Sequence, residues 1–282
     1  MRNYNTQFNK LITLKIKKMK NLKQILVAIF ALTFIVACNK DDIDPKENLE
    51  KAKISAKWIV SNSSDYDSFE FNESGNYIVV KNTTTKSTND QIILFGTYEI
   101  IDNKTIVLSD FGTLTISKID ENSISFSIKL TSNPNNEITI NASKQAEMES
   151  TTKTDLLCRT WEMVTVNGES IVGTDMELTV LFSKAGTYFV SYANPEDEND
   201  GGLAQWKWKD DAETQFLYSW DEVPVWEDED YVEIPELTST KLKIIEDEDT
   251  YILQPVSTTK SAIVKSSKDL SNRHIKSGFF NK

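Results

Sequence analysis

The sequence predicts an all-β protein of two tandem small antiparallel β-barrels, each entered through a short helix. Three observations predict it. Short runs rich in Ile, Val, Thr, Tyr and Phe are separated by Asn, Asp, Gly and Ser turn signals. One run, SISFSIKL, alternates cleanly: Ile124, Phe126, Ile128 and Leu130 fall on one face, the serines and Lys129 on the other. The chain is also written twice, with its blocks in the same order.

The repeat sets the units. FEFNESGNY (69–77) and VLFSKAGTY (180–188) place Phe71, Gly75 and Tyr77 at the spacing of Phe182, Gly186 and Tyr188. Trp58 of SAKWIV corresponds to Trp161 of CRTWEM. GTYEI (96–100) answers QWKWK (205–209) as a strand, with Tyr98 taken as the counterpart of Trp208. Ile116, Ile119, Ile124 and Phe126 are spaced like Ile234, Leu237, Leu242 and Ile244, and EITI (137–140) answers TYIL (250–253). The expected units are 48–145 and 150–257. KQAEMESTTKTD (144–155) reads as a linker running into a helix before Trp161, and ENLEKAKISAKW offers the matching helix before Trp58.

Units of this size hide the dry face of their strands by closing into a barrel or stacking as a sandwich. The opening tryptophans favour a small barrel plugged near its base; an immunoglobulin-like sandwich is the alternative. The order helix to tryptophan, F-x-x-x-G-x-Y, G-x-Y/W strand and Leu/Ile-rich meander resembles the lipocalin-like domains of Bacteroidota lipoproteins. The glycine that lipocalins carry two places before the tryptophan is Ala56 in one copy and Arg159 in the other. The resemblance therefore implies reduced barrels and leaves open whether they are hollow.

Ahead of the first unit, Lys15, Lys17, Lys18, Lys20 and Lys23 flank the uncharged run ILVAIFALTFIVA (25–37). That run is too short for a spanning helix, which needs roughly 20 apolar residues. Residues 1–37 read instead as a signal peptide, with Met19 as an alternative start. Ile35-Val36-Ala37-Cys38 resembles the bacterial lipoprotein box. The resemblance implies cleavage before Cys38 and its acylation with palmitate-type chains, two or more of which anchor firmly. Lys40, Asp41 and Asp42 resemble the export signal of Bacteroidota surface lipoproteins, which implies the outer membrane, facing the medium. Residues 38–47 would be a lipidated tether, and the membrane the first partner.

Removing residues 1–37, with seven basic and no acidic residues, takes the net charge from −12 to −19. Such a surface argues against nucleic acid, which requires a positive footprint. With Cys38 acylated, Cys158 is the remaining thiol; LLCRTW around it reads as a buried apolar site. The single histidine, His274, lies in a basic tail, 258–282. That tail could pack on the acidic second unit, add a strand at IKSGFF, or stay unstructured. HExxH, GxSxG and phosphate-loop motifs are absent, so neither an enzyme nor a cofactor is expected.

The chemistry concentrates in residues 195–250, with nineteen acids, four lysines and interleaved aromatics. Trp220 and Trp226 flank DEVPV, and with Tyr218 they are the candidate ligand-binding residues: ring faces stack on sugars while carboxylates take hydroxyls. Trp206 and Trp208 share a strand face and are assigned to packing. Glu196, Glu198 and Asp200 before Gly201 mimic a calcium loop. Its closing acid is replaced by Lys207, so no metal site is expected. The expected function is a non-enzymatic, lipid-anchored binding module for a small apolar ligand. The alternatives are a glycan- or protein-binding surface on the second unit's aromatics and an acidic spacer in an envelope assembly.

Overall fold

The computed structural model describes residues 49–63, 65–82, 90–193, 201–221, 223–228, 231–256 and 262–267. The signal segment, Cys38, Lys40, Asp41, Asp42, Glu196, Glu198, Asp200 and IKSGFF lie outside the described residues.

Helix α1 (Lys51–Ile54) leads into β1 (Lys57–Val60), β2 (Tyr66–Phe71), β3 (Asn76–Asn82) and β4 (Asp90–Ile100). β5 (Thr105–Leu108), β6 (Gly112–Ile119), β7 (Ser123–Leu130) and β8 (Asn133–Lys144) follow. Each strand pairs antiparallel with its neighbours in sequence, and β8 returns to β1, closing an eight-stranded up-and-down barrel.

Helix α2 (Thr152–Leu157) opens the second barrel: β9 (Thr160–Val166), β11 (Leu178–Phe182), β12 (Thr187–Tyr192) and β13 (Gly202–Trp208). β14 (Gln215–Ser219), β15 (Tyr231–Leu237), β16 (Leu242–Glu246) and β17 (Asp249–Pro255) complete it, and β17 closes on β9. A two-residue strand, β10 (Glu169–Ser170), hangs on β9. The protein is thus a pair of lipocalin-like barrels rather than sandwiches. β18 (Ala262–Ser267) comes from the basic tail yet pairs with the Asp90–Phe95 half of β4, in the first barrel.

The two copies fold alike. Trp58 stands opposite Phe69, and Trp161 opposite Val180. Both hairpins close on an aromatic pair, Phe71 with Tyr77 and Phe182 with Tyr188. Gly75 and Gly186 turn them with φ of 91° and 79°, a left-handed backbone that costs a side-chain-bearing residue about 1–2 kcal/mol. Two sequence alignments need correcting. The backbone N–H of Tyr98 donates to Gly75 and that of Trp206 to Gly186, so the counterpart of Tyr98 is Trp206, not Trp208. Phe126 pairs with Ile140 and Ile244 with Tyr251, so EITI matches 248–251 rather than 250–253. The β7–β8 hairpin is longer than β16–β17, which shifted the windows by two residues.

Aromatic rings meet across both barrel interiors. Phe69 on β2 reaches Phe126 on β7, three strands away around the ring, at 5.0 Å between centroids. Phe182 on β11 meets Phe216 on β14 at 5.6 Å, again three strands away. β3 and β12 are buried on both faces. Tyr77 and Val79 face the first lumen, while Ile78 and Val80 join Phe189, Leu181 and Leu203 in a cluster between the barrels.

Candidate functional site

α2 joins the second barrel where β9 begins. At the opposite end β9 finishes, β14 runs out at Ser219 and β16 turns into β17 between Glu246 and Asp249. This mouth is built from three inward rows. On β14, Phe216 and Tyr218 alternate inward with Leu217 outward, and Trp220 continues the row past the strand. On β16, Leu242 and Ile244 are fully buried in the core, and Glu246 is next on that face. β17 contributes Tyr251 and Asp249.

The groups are tied together. The Tyr218 hydroxyl donates to Glu246 Oε1 at 2.8 Å, and the Tyr251 hydroxyl to Asp249 Oδ2 at 3.2 Å. Trp220 packs on Tyr188 at 5.3 Å and on Tyr218 at 6.5 Å between ring centroids. Its indole nitrogen is buried and has no hydrogen-bond partner among the described residues. Burial, then the negative field of Glu246, pushes the Tyr188 phenol well above its ordinary range and keeps it protonated.

The first barrel shows what this mouth replaces. Tyr98 pairs with Leu108 as Trp206 pairs with Tyr218, so Leu108 occupies the place of Tyr218. By the same registers Ile128 stands for Glu246 and Ile140 for Tyr251. Leu108, Ile128 and Ile140 are buried in the first barrel's hydrophobic core, which also holds Tyr66, Tyr77 and Phe111. The same frame thus carries hydrocarbon at three positions in one barrel and two phenols and a carboxylate in the other.

The sequence-predicted residues divide accordingly. Tyr218 and Trp220 come together inside the mouth. Trp226 does not join them: it lies half-buried with the ammonium of Lys207 4.7 Å from its ring centre. Lys207 alternates with the inward Trp206 and so points outward. Nearby Val223 and Val225 are 79% and 55% exposed. Trp206 is buried and donates to Ser183 O, and the half-buried Trp208 donates to the hydroxyl of Thr154 on α2, so both pack. Glu246 was hidden among nineteen acids; its place in the alternation LKIIE, two beyond Ile244, is the signal that identifies it. Cys158 is half-buried, and burial raises its thiol far above the usual range.

A separate pocket of about 590 Å³ lies at the α1 end of the first barrel. Its floor is Leu49, Trp58 and Ile119 and its rim Lys53, Asp120 and Lys144. Among the described residues no helix is long and apolar enough to cross a membrane, and no three metal-binding side chains converge.

No family model matches the chain, and no curated protein does. Among solved structures, the DNA polymerase III beta chain from Streptococcus pneumoniae TIGR4 aligns at 11% identity with a TM-score of 0.13. The alignment covers 74% of this chain and 58% of that one, and a likeness so slight carries no argument.

Proposed function

We propose that this protein is a surface lipoprotein of the Bacteroidota outer membrane, anchored through acylated Cys38, that binds a glycan at the mouth of its second barrel. The observation that carries the binding site is the exchange of Leu108, Ile128 and Ile140 for Tyr218, Glu246 and Tyr251 in an otherwise repeated frame. The second barrel thus sets a phenol hydrogen-bonded to a partly buried carboxylate where the first buries hydrocarbon. Rings with an acceptor at their edge suit the apolar face and hydroxyl rim of a sugar. The across-barrel ring contacts favour this mouth over the central lumen. The lipid anchor rests on the resemblance of Ile35-Val36-Ala37-Cys38 to the lipoprotein box.

The test is a glycan array probed with the chain from Asp41 onward. A specific hit is expected, lost by about tenfold or more in Trp220→Ala and in Glu246→Gln and retained in Trp226→Ala. Binding that survives both mouth substitutions rejects the site. The pocket under Trp58 favours a second reading, carriage of a small apolar ligand at the base of the first barrel. Lipid recovered from the purified protein, and lost on replacing Ile119 with a charged residue, would support that reading instead.

A further inference from the structure

Two loops frame the mouth of the second barrel from opposite sides. Residues 171–177 join β10 to β11 and residues 220–230 join β14 to β15, with two strands between them each way around the ring. Four of the seven large hydrophobic side chains exposed among the described residues sit on these loops: Val172 and Met176 on one, Val223 and Val225 on the other. Hydrogen bonds hold both loops in place. Gly173 N donates to Glu177 Oε2 at 3.0 Å, and Thr174 Oγ1 to Ile171 O at 2.6 Å. On the other side, Val225 N and Asp221 N donate to Ser219 Oγ at 3.2 and 3.3 Å. Apolar side chains grouped at one end of a domain and rimmed by charge mark an interaction surface.

The charge at this end has one sign. The segments that connect strands there, 167–177, 193–201, 220–230 and 247–248, carry fifteen acids and no lysine or arginine. The corresponding segments of the first barrel, 61–65, 83–89, 109–111 and 131–132, carry two acids and one lysine. A partner for the second barrel's mouth must therefore bring apolar side chains and positive charge together.

The chain supplies such a partner. Beyond Ser267 fifteen residues remain, KDLSNRHIKSGFFNK, with four Lys or Arg against one Asp and with Leu270, Ile275, Phe279 and Phe280. They continue from β18, which pairs with β4 and also approaches β13, a strand that begins at this mouth. Extended, fifteen residues reach up to about 50 Å, against about 30 Å for the diameter of a small domain. We propose that this segment, residues 268–282, docks across the mouth of the second barrel, with Phe279 and Phe280 against the loop tips and its cations on the acidic rim. The basic tail thereby covers the acidic unit of its own chain. The contact uses the mouth described above but does not depend on a glycan binding there.

The chain from Asp41 to Ser267 keeps β18 and lacks the segment. A fluorescent peptide of residues 268–282 titrated into it, read by anisotropy, should bind saturably and more weakly as salt rises. Affinity should fall about tenfold or more with Phe279→Ala and Phe280→Ala in the peptide, or with Val223→Ser and Val225→Ser in the protein. The chain from Asp41 to Lys282 should bind the peptide far less, its own segment being in place. Ellman's reagent on Val223→Cys reads the same contact within the chain: reaction should be slower with the segment than without it, at any protein concentration. Absence of saturable peptide binding overturns the proposal, as does binding untouched by both pairs of substitutions or equal Val223→Cys reactivity in the two lengths. Protection that grows with protein concentration would assign the surface to a second copy's segment and overturn the intramolecular contact. The glycan array stands apart: a glycan hit without peptide binding rejects this contact alone, and peptide binding without a glycan hit rejects the glycan reading alone.

Discussion

The indole nitrogen of Trp161 donates to the carbonyl of Leu157 at 2.9 Å, stitching the end of α2 to the first strand of its barrel. Trp58 makes the same bond to Ile54 at 2.9 Å in the other barrel. Both rings are buried, so each tryptophan caps a helix carbonyl and plugs a barrel base at once. Replacing either with Ala should cost about 3–5 kcal/mol, and with Phe about 1–3 kcal/mol for the lost hydrogen bond and volume. Urea unfolding of the four variants measures this.

Much of the fold was legible because these contacts are short-range. Helix end and tryptophan stand four residues apart in both copies, and the F-x-x-x-G-x-Y hairpin is copied intact, although the stretch between them is longer in the second copy, where β10 is inserted. The later strands were harder. Hairpin lengths differ between the copies, so Trp208 was aligned where Trp206 belongs. The contact between barrels also had a signal in sequence: YIVV and YFV are apolar without alternation because both faces of β3 and β12 are covered. Tyr218 and Trp220 stood out as aromatics among acids, but their pairing with Glu246 depends on strands that meet only after closure.

Alkaline pH should destabilise the protein. Burial pushes the phenols of Tyr77 and Tyr98 up to about 12 from near 10. The unfolded chain therefore releases these protons first. Their stabilising contribution is whole below pH 10 and is lost as pH rises towards 12. Melting temperature should fall across that window, and the fall should be shallower in Tyr77→Phe and Tyr98→Phe.

Cys158 should behave as an inert thiol. Burial, the largest influence on it, holds it protonated at neutral pH, and only the thiolate reacts. Ellman's reagent at pH 8 should label Cys158 far more slowly in the native protein than in guanidinium. Fast native labelling would show a thiol open to a cleft between the barrels, which it lines.

Ending the chain after Val256 should leave both barrels closed, since β8–β1 and β17–β9 do not involve the tail. It removes the partner of Asp90–Phe95 in β4 and exposes a strand edge, a ready template for self-pairing. The truncated protein should keep its circular dichroism spectrum but associate at concentrations where the full chain does not, as read by light scattering.

The most direct test of the glycan site is a crystal structure of the protein soaked with the best ligand from the array. A sugar ring within about 4 Å of Trp220 or Tyr218, with a hydroxyl on the Glu246 carboxylate, is the predicted result. A sugar bound on the outer wall at Trp226, at the base of the first barrel, or nowhere on the second barrel's mouth would contradict it.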